Sequence, residues 1–514
     1  MRNASLWRRL FLALVLTVSA RGATAKTSPD PDYWPTNGWR ESSPEAQGMD
    51  SRTLASALNY AREHGVPVHE MVIVRNGRVV LDAPFFPYRA SDLHDIASVT
   101  KSVTASLIGI AIAKHQLIGL QQPVLPLLAP GGVANGDPLK ERLTLEHFLT
   151  MSSGLSCEWD PDERTLEDMQ HSTDWIQYTL GRPMAAAPGS TFAYSSPGMH
   201  VLSGVISRVS GSSALDFARR ELFQPLGIKS AEWPADPHGI SHGWGDLHLH
   251  ARDLAKLGFL WLNGGRWGDR QLLPAGWMAE ATRAHIAGTG WASGGSYGYG
   301  FWVDARQTLP VFGATGRGGQ RIRVTPSQNL IVVLVGRLDV STVSHFITES
   351  IKSDHALPED AESKALLDSA VAAAARPPQP HAVAVLPPLA ATVSGRSFVL
   401  DENALGLKSL ALSFASRNEA ALHLEFGDGR VEERPMGLDG VPRISPNGRF
   451  KLPVAVSGSW TGDNTFTFDY DEVANINCYR FHLTFSARQV AVEVEEQTGL
   501  VHARFAGKDS AAGP

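Results

Sequence analysis

The sequence predicts an α+β protein with an antiparallel sheet, followed by a small all-β domain. Three observations carry this. Up to about residue 371, strand patterns come early and late with helices between them, which is not the strand-by-strand alternation of a parallel sheet. Beyond residue 390, short apolar runs alternate with period two between turn signals. Between the two lies "AAAARPPQPHAVAVLPPLA", Ala372 to Ala390, with the composition of a linker. The expected division is a signal peptide at 1–25, a first domain at 26–371, the linker at 372–390 and a β domain at 391–514.

At 514 residues the chain exceeds one domain's usual share. Its net charge of -6 is mild, which speaks against nucleic acid or a membrane surface as partner. Arg2, Arg8 and Arg9 precede the apolar run "LFLALVLTVSA", and "ATA" (Ala23 to Ala25) follows as a small-x-small cleavage pattern. That layout is a secretory signal, so the protein is expected to be exported, periplasmic or secreted. "RRLFL" also resembles a twin-arginine signal, with Trp7 in place of the usual polar residue. No apolar run of membrane-spanning length follows, so no span is expected in the mature protein. Cys157 and Cys478 are the two cysteines. Export would allow a disulfide, but they are far apart in sequence, and two packed thiols are the preferred reading.

The elements follow in order. "MVIVRNGRVVLD" places two apolar runs around Asn76-Gly77, a β-hairpin signal. "IASVTKSVTASLIGIAIAK", Ile96 to Lys114, is a buried helix. "TLEHFLTMSSGL", Thr144 to Leu155, is a helix capped by Thr144. Ser156 to Pro188 has mixed signals and is expected to shape a pocket. Met199–Val209 is helical by spacing and Gly211 closes it. Ala251 to Gly265 is a further helix ended by glycines, and "YGYGFWV" and "NLIVVLVGR" are strands. In the last domain "LALSF", "ALHLEF", "TFTFDY", "YRFHLTF" and "VAVEVE" predict a barrel or sandwich.

The chemistry concentrates at the head of the Ile96–Lys114 helix. Ser98 and Lys101 are three apart, so they share a helix face and the Lys101 amine can lie beside the Ser98 hydroxyl. A serine needs a base to become a nucleophile, and a lysine whose pKa is lowered by burial can serve. A helix N-terminus adds partial positive charge and aims the Ser98 backbone N–H at a developing oxyanion. S-x-x-K alone is weak, because chance yields roughly one in a chain of this size. Two other stretches add weight. "FAYSSPG" puts Tyr194 and Ser196 on a turn before a helix, where Tyr194 could exchange a proton with Ser98 or a leaving group. "FGATGRGGQ" puts Gly316 at a strand edge where backbone can approach a substrate, with the Arg317 N–H as second oxyanion donor. Singly, the ordinary readings are a packed tyrosine and a glycine hairpin.

Taken as a set, "SVTK", "YSS" and "ATG" followed by "RGGQ" resemble the serine β-lactamase and penicillin-binding protein superfamily, in its class C-related branch of esterases and 6-aminohexanoate-dimer hydrolases. "TLEHFLTMSSGL", "LFQPLGI", "DLHLHARDLAKLGFLWLNGG" and "YGYGFWV" extend the resemblance over roughly Trp39 to Ser353. It implies the β-lactamase-like fold, a helical subdomain beside an antiparallel sheet covered by helices. It also implies roles: Ser98 as acylated nucleophile, Lys101 as its partner, Tyr194 as general acid/base, and the Ser98 and Arg317 N–H groups as oxyanion hole. Ser196, Thr315 and Gly316 are the implied substrate contacts. No metal or organic cofactor is required, and the partner is a small-molecule ester or amide. Two departures bear on substrate. Ser196 stands where the family usually has Asn, and Ala314 stands where a cation usually greets a β-lactam carboxylate. Arg317 could bring charge nearby, in a direction the sequence leaves open. The expected activity is therefore ester or amide hydrolysis, with a D-alanyl-D-alanine peptidase or β-lactamase as the rival enzyme. A catalytically silent peptidoglycan- or partner-binding protein is the rival outside catalysis.

Three other patterns compete. Ser296 in "GGSYG" matches G-x-S-x-G, but the strand-then-helix context of a nucleophile elbow is missing. His238, His242, His248 and His250 gather with Asp253, and His248 and His250, which alternate, could share a zinc. A histidine-rich surface loop with Asp253 as a helix-start charge is the preferred reading. Trp159, Trp175, Trp233 and Trp302 are core candidates, of which one or two could line a cleft.

Overall fold

The computed structural model describes residues 31–157, 164–288, 295–304, 306, 311–337, 341–486 and 488–510. The signal-peptide segment and Trp159 lie outside the described residues. Helix α1 is Ser51–Glu63 and leads into strands β1 (Val68–Arg75) and β2 (Arg78–Pro84). Asn76 and Gly77 join them with φ of 51° and 75°, the left-handed pair that a tight hairpin requires. Then come α2 (Thr100–Ala113), α3 (Leu145–Leu149), α4 (Ser196–Ser210) and α5 (Ala251–Leu262). Strands β3 (Ile286–Ala287), β4 (Ser296–Tyr297), β5 (Trp302–Asp304), β6 (Val311–Thr315), β7 (Arg321–Thr325) and β8 (Leu330–Gly336) follow, then α6 (Ser341–Ser350) and α7 (Ala361–Ala374).

The eight strands form one antiparallel sheet in the order β2-β1-β8-β7-β6-β5-β4-β3. Every residue of β1 and β8 is buried, because helices cover both faces. Met71, Ile73 and Leu334 pack on Leu54 and Leu58 of α1 and Leu367 of α7. Val72, Val74 and Ile331 face Val103 of α2 and Leu254 of α5. Alternation along each strand thus feeds two cores.

Helix α2 is buried from Thr100 through Ala111, so its hydroxyls need partners inside the protein. Ser102 Oγ donates to the Gly300 carbonyl at 2.5 Å, and Thr104 Oγ1 to that of Gly243 at 2.8 Å. The helix starts later than the sequence predicts. Ala97–Val99 is a 3-10 turn entered by Ala97 at φ 45°, because Asp95 Oδ1 accepts the Ala97 N–H at 2.8 Å and pins the turn. Helix α3 also ends early, at Leu149, since Met151 (φ 57°) turns the chain left-handed.

The Pro/Ala-rich stretch is less of a linker than predicted. Ala372 to Ala374 close α7, and a short helix at Pro388–Val393 takes up its end. Between them the His381 N–H donates to the Asp439 carbonyl at 3.0 Å, which ties the stretch to the strands beyond it.

Ten strands then close into a barrel: β9 (Ser397–Leu400), β10 (Leu407–Ser413), β11 (Glu419–Phe426), β12 (Val431–Gly437), β13 (Arg443–Ser445), β14 (Val454–Trp460), β15 (Thr465–Glu472), β16 (Cys478–Ser486), β17 (Gln489–Glu496) and β18 (His502–Asp509). The order is β12-β11-β10-β9-β18-β17-β16-β15-β14-β13, and Gly437 of β12 pairs with Ser457 of β14 to complete the ring. Leu410, Leu422, Phe466, Leu483 and Val492 fill its interior, with Phe468 and Phe481 stacked at 4.5 Å. Cys157 and Cys478 are both buried and unpaired. No helix among the described residues is long and apolar enough to cross a membrane.

Candidate active site

The 3-10 turn Ala97–Val99 carries Ser98 to the head of α2, and the following turn of helix carries Lys101. Lys101 is 1% exposed, yet its Nζ donates to three oxygens. These are Ser98 Oγ at 2.9 Å, Ser196 Oγ at 3.2 Å and the Trp244 carbonyl at 3.0 Å. Lys101 Nζ also lies 4.8 Å from the centroid of the Tyr194 ring. The structure therefore gathers Ser98, Lys101, Tyr194 and Ser196 around one nitrogen, although 95 residues separate Lys101 from Ser196.

Tyr194 and Ser196 are held by the start of α4. Ser195 is the N-cap, and its Oγ accepts the Gly198 N–H at 3.0 Å. This leaves Ser196 as the first helical residue, facing Lys101. The Tyr194 ring lies nearly parallel to that of Trp302, with centroids 5.9 Å apart and an interplanar angle of 20°. Of the three described candidates, Trp302 is the one that stacks on Tyr194. Trp175 and Trp233 are buried core residues, and Trp233 Nε1 donates to the carbonyls of His242 and Gly245.

The third motif sits at the end of β6. A Cβ on Gly316 would lie 2.9 Å from the Ser98 nitrogen and 2.8 Å from both Ala97 Cβ and the Ile96 oxygen. The bare glycine makes room here for the turn that carries Ser98. The contact sets Gly316 beside the Ser98 nitrogen. Thr315 Oγ1 is buried with no hydrogen-bond partner. The Arg317 guanidinium turns away from the site. It donates to Asn477 Oδ1 at 2.9 Å and to Thr498 Oγ1, and lies 3.6 Å from Glu496. The open question of where its charge points is therefore answered by the barrel.

Behind the site lies the histidine-rich stretch, and here the structure corrects the expectation of a surface loop. His238 is exposed, but Ser241 to Gly245 and Leu247 to Leu249 are buried. The histidines are engaged separately. His242 pairs with Asp246 at 2.7 Å and stacks on Trp244. His248 Nδ1 contacts the Asp246 carbonyl, and His250 Nδ1 that of Asp92. Burial would raise the Asp246 carboxyl, but the hydrogen bond and charge of His242 outweigh it and hold it low. Asp95 goes the other way, raised by burial and then by the nearby Asp246 charge. Asp253 pairs with Lys256 in the first turn of α5, as a helix-start charge. Among the described residues, Glu493, Glu495 and His502 form the one cluster that could hold a metal. It is on the barrel, where Arg504 Nε bonds Glu493 at 2.9 Å.

Ser296 lies on the two-residue strand β4, paired with Ala287 and Val303. No helix follows it, so it is not on a nucleophile elbow.

The Beta-lactamase family model matches residues 45–349, more than half of the chain and all of the site just described except the barrel's contacts. The chain belongs to the Beta-lactamase family. It is a serine hydrolase of that family, with a β-lactamase-like fold followed by the closed barrel. It is 24% identical over 283 residues to the 6-aminohexanoate-dimer hydrolase of Paenarthrobacter ureafaciens, covering 51% of this chain and 70% of that one. It is 25% identical over 212 residues to the lovastatin esterase of Penicillium rubens, covering 34% of this chain and 53% of that one. Among solved structures it is similar to the hydrolase EstCE1, with TM-score 0.50 and 18% identity over 59% of this chain and 99% of that one, a likeness of fold.

Sequence reasoning missed two contributors to this family site. Asp95 braces the serine turn, and the Trp244 carbonyl helps hold Lys101. The sequence around Asp95, Asp92-Leu93-His94-Asp95, gave no signal that set it apart. A backbone carbonyl leaves none.

Proposed function

We propose that this protein is an exported hydrolase that opens an ester or amide through an acyl-enzyme on Ser98. The observation that carries the reading is the 2.9 Å contact between Lys101 Nζ and Ser98 Oγ at a buried lysine. Lys101 in its neutral form, with Tyr194, takes the hydroxyl proton as Ser98 Oγ attacks the carbonyl carbon. The N–H groups of Ser98 and Arg317 hold the resulting oxyanion. Collapse breaks the bond to the leaving group, which departs as an alcohol or amine with the proton returned to it. Water then attacks the acyl-enzyme and restores Ser98.

The substrate class follows from the surroundings of that centre. Ala314 offers no charge to a substrate carboxylate, and the neighbouring guanidinium is engaged by Asn477 and Thr498. A neutral ester or amide suits this better than a β-lactam bearing a carboxylate. Ser196, Thr315 and Gly316 line the substrate's path in this reading. The names of the two sequence relatives, a dimer hydrolase of an amide and an esterase, agree with this class. Residues 26–371 form the hydrolase part, and the signal at 1–25 directs export.

The test uses purified mature protein with p-nitrophenyl acetate and butyrate, with Ser98→Ala and Ser296→Ala alongside. Intact mass is measured after a fluorophosphonate probe. Activity and adduct lost in Ser98→Ala alone support the reading. Loss in Ser296→Ala alone overturns it. Covalent labelling by a fluorescent penicillin, blocked in Ser98→Ala, with no ester turnover would favour the peptidase or β-lactamase alternative.

A further inference from the structure

The barrel touches both turns that would build the oxyanion hole, and one short segment of it reaches both; Thr498 and Glu496 add to its hold on Arg317. Between β15 and β16 the chain turns through Val473 to Asn477, with Ala474 at φ 67°. Its Ala474 carbonyl accepts the Asp95 N–H at 2.9 Å, and Asp95 Oδ1 in turn accepts the Ala97 N–H at 2.8 Å. Ala97 precedes Ser98 and sits at φ 45°, a left-handed conformation unfavourable for an alanine. Such a conformation persists where surrounding contacts enforce it. On the other side, Asn477 Oδ1 accepts from Arg317 at 2.9 Å. Ile476 packs so close to Gly318 that a Cβ there would lie 2.7 Å from Ile476 Cγ2.

The segment is itself stiff. Asn475 N–H bonds the Glu472 carbonyl at 2.9 Å, and the Val473 N–H bonds that of Pro453 at 2.9 Å. Next to it, Asp471 accepts from Tyr88 at 2.9 Å, and Arg337 donates to the same tyrosine oxygen at 2.7 Å. Ala474 and Ile476 are each 1% exposed, so the segment is buried between barrel and hydrolase part.

We infer that the β15–β16 turn of the barrel is the positioning element of the oxyanion hole, with Asn477 and Ala474 acting through Arg317 and Asp95. This rests on the acyl-enzyme reading above. A donor pair must be held to within roughly 0.5 Å to stabilise developing charge, and the two donors belong to different segments of the chain. One rigid turn bonded to both fixes their spacing. The barrel then contributes to turnover without touching substrate.

The test is the full chain carrying Asn477→Ala, Arg317→Ala and both together. Arg317→Ala removes the tether but keeps the backbone N–H, and its side chain is 29% exposed, so it keeps the inference testable should Asn477→Ala fold poorly. Each single variant is expected to lose about tenfold in kcat with KM and Tm little changed, less than the factor of about 10²–10³ that losing a whole donor costs. The inhibition constant of phenylboronic acid, whose tetrahedral adduct needs the same donors, rises by the same factor. The double variant loses no more than Arg317→Ala alone, because the bond that Asn477→Ala cuts is one of those that Arg317→Ala removes together with the contacts to Thr498 and Glu496. Wild-type kcat in the folded single variants, or losses that multiply in the double variant, would overturn the inference. Ser98→Ala separates the two readings. If it stays active, the acyl-enzyme reading itself falls. If it is inactive while Asn477→Ala keeps full kcat, the barrel's role alone is wrong.

Discussion

Gly316→Ala tests the packing of the site directly. The added methyl would sit 2.8 Å from Ala97 Cβ, 2.8 Å from the Ile96 oxygen and 2.9 Å from the Ser98 nitrogen. Carbon contacts are comfortable from roughly 3.5 Å, so something must move by about 0.7 Å. None of these atoms is the end of a flexible side chain, and all three belong to the turn that presents Ser98. Gly316 itself has φ −131°, which alanine adopts freely, so the cost is contact and not backbone strain. Overpacking of this kind costs about 1–3 kcal/mol, within the usual stability of a folded domain. The catalytic cost is larger in proportion. A 1 Å misplacement loses about 10²-fold, so kcat should fall roughly 10- to 100-fold, or about 1.4–2.7 kcal/mol in barrier. Initial rates with p-nitrophenyl butyrate, thermal melts and the fluorophosphonate labelling rate measure this. Gly136→Ala is the control, because a Cβ there meets nothing within 4 Å. A folded Gly316→Ala enzyme with kcat within about twofold of wild type would refute the assignment of this turn to the oxyanion hole.

Lys101→Met removes the proposed base while keeping a long apolar stem. Turnover should drop by about 10²–10⁴-fold, and the phosphonate adduct should form correspondingly slowly. Tyr194→Phe preserves the stack on Trp302 and the ring near Lys101 Nζ. It should therefore retain Tm while lowering kcat by at least about tenfold, and an unchanged kcat would remove Tyr194 from proton transfer. Glu70→Gln addresses pH. Burial, then the charge of Asp82, raises the Glu70 carboxyl to about 9, so it is protonated in the fold and ionised in the unfolded chain at neutral pH. A raised carboxyl gives stability that is fully present below its unfolded value of 4.5 and lost as pH climbs toward 9. At pH 7 the loss is roughly 3 kcal/mol, so Glu70→Gln should raise Tm at pH 7–8 and flatten the decline between pH 5 and 9. Melts across that range check it, and a slope identical to wild type would show that Glu70 ionises freely.

The hairpin at Asn76-Gly77, the buried α2 and the alternating barrel strands were all legible in sequence, because each rests on local chemistry. Asn and Gly tolerate left-handed φ, and apolar spacing reports a buried face. The barrel strands that escaped notice were β9, β12, β13, β14 and β18; in β18, "HARFAGKD", small and polar residues blur the alternation. Closure came from the Gly437–Ser457 pairing, which no spacing in the chain announces. The boundaries that shifted did so for tertiary reasons. The 3-10 start of α2 needs Asp95 and the Leu247 carbonyl, which accepts the Ile96 N–H.

What the sequence by itself determined was the local pairing of Ser98 with Lys101, since three residues on a helical turn cannot be far apart. It also determined that Tyr194, Ser196 and Gly316 stand at element boundaries where chemistry is exposed. Only the tertiary structure decided where the Arg317 charge goes, that Gly316 is needed by the serine's own turn, and that a barrel residue 160 positions later holds Arg317. The physical reason is one of range. Backbone geometry fixes neighbours a few residues apart, whereas the direction of a long guanidinium is set by whichever acceptors the rest of the fold brings within about 3 Å.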